Sequence, residues 1–199
     1  MTRIACVTMS LLAAAGLFSG NLQAQSNPIY FPYVVNDSQT STELILTNIT
    51  GRNANVSLVA YRQDGSIAAQ ISAAVGANSQ VVLGPAVFAG LQGWVLGASD
   101  VAGVMGDLRV NSSDGSAQDT TESSLPDTTI VFPFAAESPG TSTEIAVVNP
   151  APAHARVGLT VYGPDGRAIA TNDLLLAPFG MIRGSLTAIF SSGRDYTNA

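Results

Sequence analysis

Residues 31–69 read FPYVVNDSQTSTELILTNITGRNANVSLVAYRQDGSIAA, and residues 132–170 read FPFAAESPGTSTEIAVVNPAPAHARVGLTVYGPDGRAIA. A shift of 101 residues lays one on the other without a gap. Phe31 and Pro32 fall on Phe132 and Pro133, Thr40–Glu43 on Thr141–Glu144, and Asn48 on Asn149. Val56, Leu58 and Tyr61 fall on Val157, Leu159 and Tyr162, and Asp64-Gly65 on Asp165-Gly166. Such an internal repeat decides the fold before any single element does, because each copy must then be one structural unit.

Within each copy the pattern is that of strands. Thr42, Leu44 and Leu46 alternate with Glu43, Ile45 and Thr47, and Thr143, Ile145 and Val147 repeat the first set. A period of two marks a strand with one buried face. Ile29–Val35 is β-prone, and Pro32 confines it to an edge or a bulge. Val56–Tyr61 follows, with Val56, Leu58 and Ala60 inward. Asp64-Gly65 joins it to Ile67–Ile71 in a hairpin, since glycine accepts the positive φ that such turns need. Gln80–Leu83, a single helical turn within Gly84–Leu91, and a hairpin of Gly93–Gly97 with Val104–Val110 complete the unit. No segment has helical periodicity. The expectation is an all-β protein of two tandem immunoglobulin-like β-sandwich units.

The boundaries follow from composition. Residues 29–110 form the first sandwich, residues 111–129 a Ser, Thr, Asp and Pro-rich linker, and residues 130–199 the second sandwich. The second unit reads as incomplete: Phe88 corresponds to Phe190 after a one-residue slip, and nothing then matches the strand Val104–Val110. Either the sequence is part of a longer reading frame, which is the expectation here, or the second unit borrows a strand from elsewhere. An unfilled edge exposes a row of unpaired backbone groups, so self-association through that edge is expected.

Residues 1–24 have the design of a signal peptide. Arg3 is the only charge in the first 36 residues, Ile4–Phe18 is apolar apart from small polar residues, and Leu22-Gln-Ala24 presents a small residue for cleavage. Export to the periplasm or the exterior follows. No later stretch is long and apolar enough to span a membrane, so none is expected after cleavage. The one cysteine, Cys6, lies in this leader, which removes thiol chemistry and disulfides from the mature chain. The charge balance excludes further classes. There is no lysine, the eight basic residues are all arginine, and the net charge is −6. A nucleic-acid partner needs a basic face, so none is expected.

The order Phe-Pro, Thr-Ser-Thr-Glu-Leu-Ile-Leu-Thr-Asn, Val-Ser-Leu-Val-Ala-Tyr-Arg-Gln-Asp-Gly and Gly-Trp-Val-Leu-Gly resembles an uncharacterised immunoglobulin-like β-sandwich repeat found in tandem in secreted bacterial proteins. The resemblance covers most of the chain after the leader. It implies a sandwich in envelope or extracellular proteins, and it brings no catalytic residues.

Candidate chemistry is thin. His154, the sole histidine, sits in a Pro-Ala loop where the first copy has Asn53. A serine triad or a zinc site needs more than one loop histidine. Glu43 and Glu144 recur, and two carboxylates can serve a glycosidase, but they lie in separate units and read as solvent-facing strand residues. Asp37 with Asp64, or Asp100 with Asp107, are the calcium candidates, without the ligand density of a known loop. Trp94, Tyr61 and Tyr162 are the candidate ligand-facing aromatics. With Tyr30 and Tyr33 the first two would form a sugar platform, whereas Trp94 in its Gly-flanked strand also reads as core. No cofactor, metal or enzymatic activity is expected. The leading expectation is a structural or adhesive module of the envelope with a protein or glycan partner, and the second is a carbohydrate-binding module.

Overall fold

The structure is a computed structural model that describes residues 2–8, 27–115, 118–122, 126–132, 135, 137 and 142–191. It is an all-β protein with a sandwich-like arrangement of antiparallel sheets. Strand β1 is Thr2–Thr8. The first unit holds β2 (Asn27–Val35), β3 (Thr40–Asn48), β4 (Ala54–Arg62), β5 (Ile67–Val75), β6 (Ser79–Leu83), β7 (Gln92–Ser99) and β8 (Val104–Ser112). A 3-10 turn, Pro85–Phe88, sits where the helical turn is expected. One sheet runs β2-β7-β4-β5, and the other runs β6-β3-β8-β9, where β9 is Gln118–Glu122.

Alternation explains which residues enter the core. Thr42, Leu44 and Leu46 from β3 and Val56, Leu58 and Ala60 from β4 are all buried between the sheets. Phe31, Val34, Val75 and Leu108 fill the same core. Phe31 and Val34 stay inside despite Pro32, because a register irregularity between Phe31 and Val34 lets β2 bend at the proline.

Two expectations need correction. Gly93–Gly97 and Val104–Val110 do not form a hairpin. β7 pairs with β2 and β4, whereas β8 pairs with β3 and β9, so Asp100–Gly103 crosses from one sheet to the other. Local turn signals at Ser99–Gly103 cannot distinguish these outcomes, since the partner strands are distant in sequence. The first and last strands therefore exchange sheets relative to a seven-strand immunoglobulin sandwich, and β5 lies beside β4 instead of beside β6, while the inner pairs β4–β7 and β3–β6 are shared with it. The linker, too, is not wholly irregular: β9 lies within it and adds to the edge at β8.

The second unit holds β10 (Ser142–Val148), β11 (Ala155–Tyr162), β12 (Ala168–Leu176), β13 (Met181–Ser185) and α1 (Leu186–Phe190). The repeat persists in its hydrogen-bond register. Ala54 faces Val75 and Ala155 faces Leu176, both pairs displaced by the same shift. A register irregularity precedes Tyr61 in β4, and another precedes Tyr162 in β11. Asn48 and Asn149 do the same job. Each buried amide donates to the following loop, at Arg52 O (2.7 Å) and Ala153 O (2.7 Å). Each also donates to the turn after the hairpin, at Gly76 O (2.9 Å) and Ala177 O (2.8 Å).

The edge of β10 that corresponds to the β8 edge of β3 is filled. β1 lies on it in parallel register, Thr2 beside Ser142 through Thr8 beside Val148, whereas β8 lies antiparallel on β3. The borrowed strand thus comes from the segment read above as leader. The expected cleavage bond after Ala24 and the last residues of the second unit lie outside the described residues.

Candidate functional site

The two units meet in a joint made mainly by β10, β13 and the turn between β12 and β13. β10 is buried on both faces. Ile145 and Val147 enter the second unit's own core, while Ala146 and Val148, with Met181, join the core of the first unit.

At the centre stand three rings. Tyr61 stacks on Trp94, with centroids 4.8 Å apart, and on Phe179, at 4.9 Å. The Trp94 indole donates its Nε1 proton to Phe179 O at 2.7 Å. Aromatic pairs of this kind contribute about 0.5–1.5 kcal/mol beyond their buried area. Phe179 sits in the left-handed region at φ 55°, an uncommon place for a bulky side chain. Its counterpart in the first copy, Asn78, has φ 50°. The turn geometry thus belongs to the repeat, and the aromatic side chain belongs to the joint. Gly65, at φ 85°, packs so closely that a Cβ there would lie 2.0 Å from Pro178 O. Met181 N donates to Gln63 O at 2.9 Å beside it.

A polar cluster flanks the rings. Tyr33 Oη donates to Glu144 Oε2 at 3.0 Å, and Arg183 Nε donates to Glu144 Oε1 at 2.7 Å. The guanidinium carbon stands 5.1 Å from the Tyr33 ring centroid. Burial opposes the charge on Arg183, but the Glu144 bond, with Tyr33 and Asp37 nearby, outweighs it and holds the group above its ordinary pKa. Arg183 Nη1 is buried and has no hydrogen-bond partner among the described residues.

The sequence candidates separate cleanly. Trp94 is fully buried, and Tyr61 nearly so, at 7% exposure. Both rings face the joint, so neither offers a platform to a ligand. Desolvation raises the pKa of the Tyr61 hydroxyl. Tyr162 is 57% exposed. Glu43 and Glu144 are not free solvent-facing carboxylates. Glu43 pairs with Arg109 at 3.1 Å in the first unit, and Glu144 pairs with Arg183 in the second. His154 is exposed in its loop. Of the calcium candidates, Asp107 lies within β8, and the other three use their carboxylates to hold backbone N–H groups of turns and loops. Asp37 accepts from Gln39 N and Thr40 N, Asp64 from Ser66, and Asp100 from Asn55 N at 2.7 Å. Those bonds depress the pKa of each. Among the described residues, no group of three or more His, Cys, Asp or Glu side chains is placed to hold a metal ion.

The joint was legible in one respect that motif reading misses. Thr47 and Gln80 face each other across β3 and β6, and Gln80 Nε2 donates to Thr47 Oγ1 at 3.1 Å on the surface. Their counterparts, Val148 and Met181, face each other across β10 and β13 and are buried. With Asn78 replaced by Phe179, three polar positions of one copy become apolar in the other. That contrast marks a contact surface.

The fold and joint define an all-β protein of two similar units packed unit against unit. No protein-family model matches the chain, and no curated protein matches it. A crystal structure described as Thermotoga maritima 1070 is similar over 51% of this chain and 96% of that one, with 12% identity and a TM-score of 0.42. Among the described residues, no helix is long and apolar enough to cross a membrane.

Proposed function

We propose that this is an exported, non-catalytic β-sandwich protein that serves as a structural or adhesive module of the bacterial envelope. The observation that carries the reading is the joint. The aromatics that would otherwise serve a ligand, Trp94 and Tyr61, are used to fasten one unit to the next. The shared side chains have folding work of the same kind. Asn48 and Asn149 latch loops, and Glu43 and Glu144 close ion pairs. A pair of sandwiches packed through such a joint suits a spacer whose partner, a protein or a glycan at the cell surface, is met by loops and strand edges. When the leader is removed, β1 goes with it and the β10 edge opens to strand addition.

The test is fractionation of expressing cells with intact-mass analysis of the recovered chain. An exported chain beginning at Gln25 is expected. Recovery from the cytoplasm with the leader intact sinks the export reading. Turnover of ester, peptide or glycoside substrates by the purified chain sinks the non-catalytic one.

A further inference from the structure

Each unit of this repeat has two faces that the joint distinguishes. One is a donor face, built in the second unit from Phe179, Val148 and Met181. The other is an acceptor face, built in the first unit around Tyr61, Trp94, Gly65 and the Gln63 carbonyl. The contact is head to tail: unlike surfaces meet. A heterologous contact of this kind leaves one donor face and one acceptor face unused at its two ends.

The unused donor face belongs to the first unit, and it is polar. Asn78, Thr47 and Gln80 occupy the three donor positions, Asn78 and Gln80 exposed and the Thr47–Gln80 pair hydrogen-bonded on the surface. The unused acceptor face belongs to the second unit; its described part is Tyr162 and the turn that carries Gly166, beside the exposed Arg167–Asp165 pair, and the position matching Trp94 lies outside the described residues. Tyr162 stands at the Tyr61 position, after the same irregularity in its strand, and is largely exposed. Gly166 stands at the Gly65 position with φ 76°, and a Cβ there would find no atom within 4 Å. At Gly65 the same space is filled by the incoming turn. Tyrosine at a protein surface supplies a large, rigid area for a contact.

We propose that the Tyr162–Gly166 face is a docking site for a further sandwich unit of this repeat, one that presents a large apolar residue at the left-handed turn position. The incoming turn would take up over Gly166 the place that Pro178-Phe179 takes over Gly65, with its ring against Tyr162. The polar Asn78, Thr47 and Gln80 keep copies of this same chain from adding to one another by that route. This deepens the structural-module reading by naming its partner. It is measured in solution, so turnover of a substrate would overturn that reading without touching the docking result.

The experiment transfers the donor face. A chain carrying Asn78→Phe, Thr47→Val and Gln80→Met gains the donor positions on its first unit, and Tyr162→Asp on the same chain removes its own acceptor. Mixed with the unaltered protein, it is expected to form a one-to-one complex by light scattering. Tyr162→Asp in the otherwise unaltered partner is expected to abolish that complex. A variant that keeps its circular dichroism yet forms no complex overturns the proposal. So does a complex indifferent to Tyr162→Asp in the partner, or protection of Tyr162 by a soluble glycan and not by the donor chain. If the triple donor change prevents folding, Thr47→Val with Gln80→Met, leaving Asn78 in place, tests the same contact. It is expected to bind more weakly, and no binding by that folded variant overturns the proposal as well.

Discussion

The two copies share a chain plan and a register, and they differ in what their outer faces touch. In the first unit, β3 shows Glu43, Ile45 and Thr47 on its outer side, where Ile45 is buried and Glu43 and Thr47 are partly exposed. In the second, the same side of β10 shows Glu144, Ala146 and Val148, and the last two are buried against the first unit. The same backbone can therefore serve as a free surface or as a contact, depending on a few side chains. An apolar pair placed across two strands removes area from water, whereas a hydrogen-bonded polar pair holds water at the surface.

The largest expected break of that difference is at Trp94. Trp94→Ala deletes a fully buried indole, its bond to Phe179 O and its stack on Tyr61, and changes of this type cost about 3–5 kcal/mol. Denaturant unfolding should show the loss. Hydrogen exchange should show the 177–181 turn losing protection along with the first unit. Unchanged protection of that turn would mean the rings do not couple the units.

A sharper comparison sets Gly65→Ala against Gly166→Ala. Both force alanine into left-handed backbone, at about 1–2 kcal/mol each. Only Gly65 also meets the Pro178 carbonyl. The Tm of Gly65→Ala should fall further, and equal falls would remove Gly65 from the joint.

The asparagine latches should behave alike in the two copies. Asn48→Ala and Asn149→Ala each remove two hydrogen bonds made by a buried amide, at about 1–3 kcal/mol together. Thermal melts that differ by much more than that would show the copies are not equivalent at their loops.

The smallest effect is on acid stability. The Gln39 and Thr40 N–H groups hold the Asp37 carboxyl below its ordinary value of 3.8. Below that value the unfolded chain binds more protons than the folded one. The contribution is therefore present above about pH 4 and is lost as pH falls through the folded pKa. Asp37→Asn should flatten this part of the acid limb in a pH series of melts. A steeper limb would contradict the sign.

How much of this was readable in advance depends on range. The strands of the first unit, their inward residues and the Asp64-Gly65 hairpin were readable, because side-chain alternation and glycine turns act within a few residues. The Gly93–Val110 hairpin was misread for the converse reason: whether two neighbouring strands pair or cross between sheets depends on distant partners. The joint was half readable. The Phe179, Val148 and Met181 replacements stand in the repeat alignment, but nothing local says that they face Trp94.

By itself, then, the sequence determined an all-β chain built twice on one register, the burial of Thr42, Leu44 and Leu46, and the equivalence of Asn48 with Asn149. Periodicity and identity at a fixed offset are enough for these. Only the tertiary structure decided that Trp94 and Tyr61 turn toward a neighbouring unit, that Glu144 finds Arg183, and that β1 lies against β10. Each of those depends on surfaces brought together from more than thirty residues away, where packing geometry and not local propensity selects the partner.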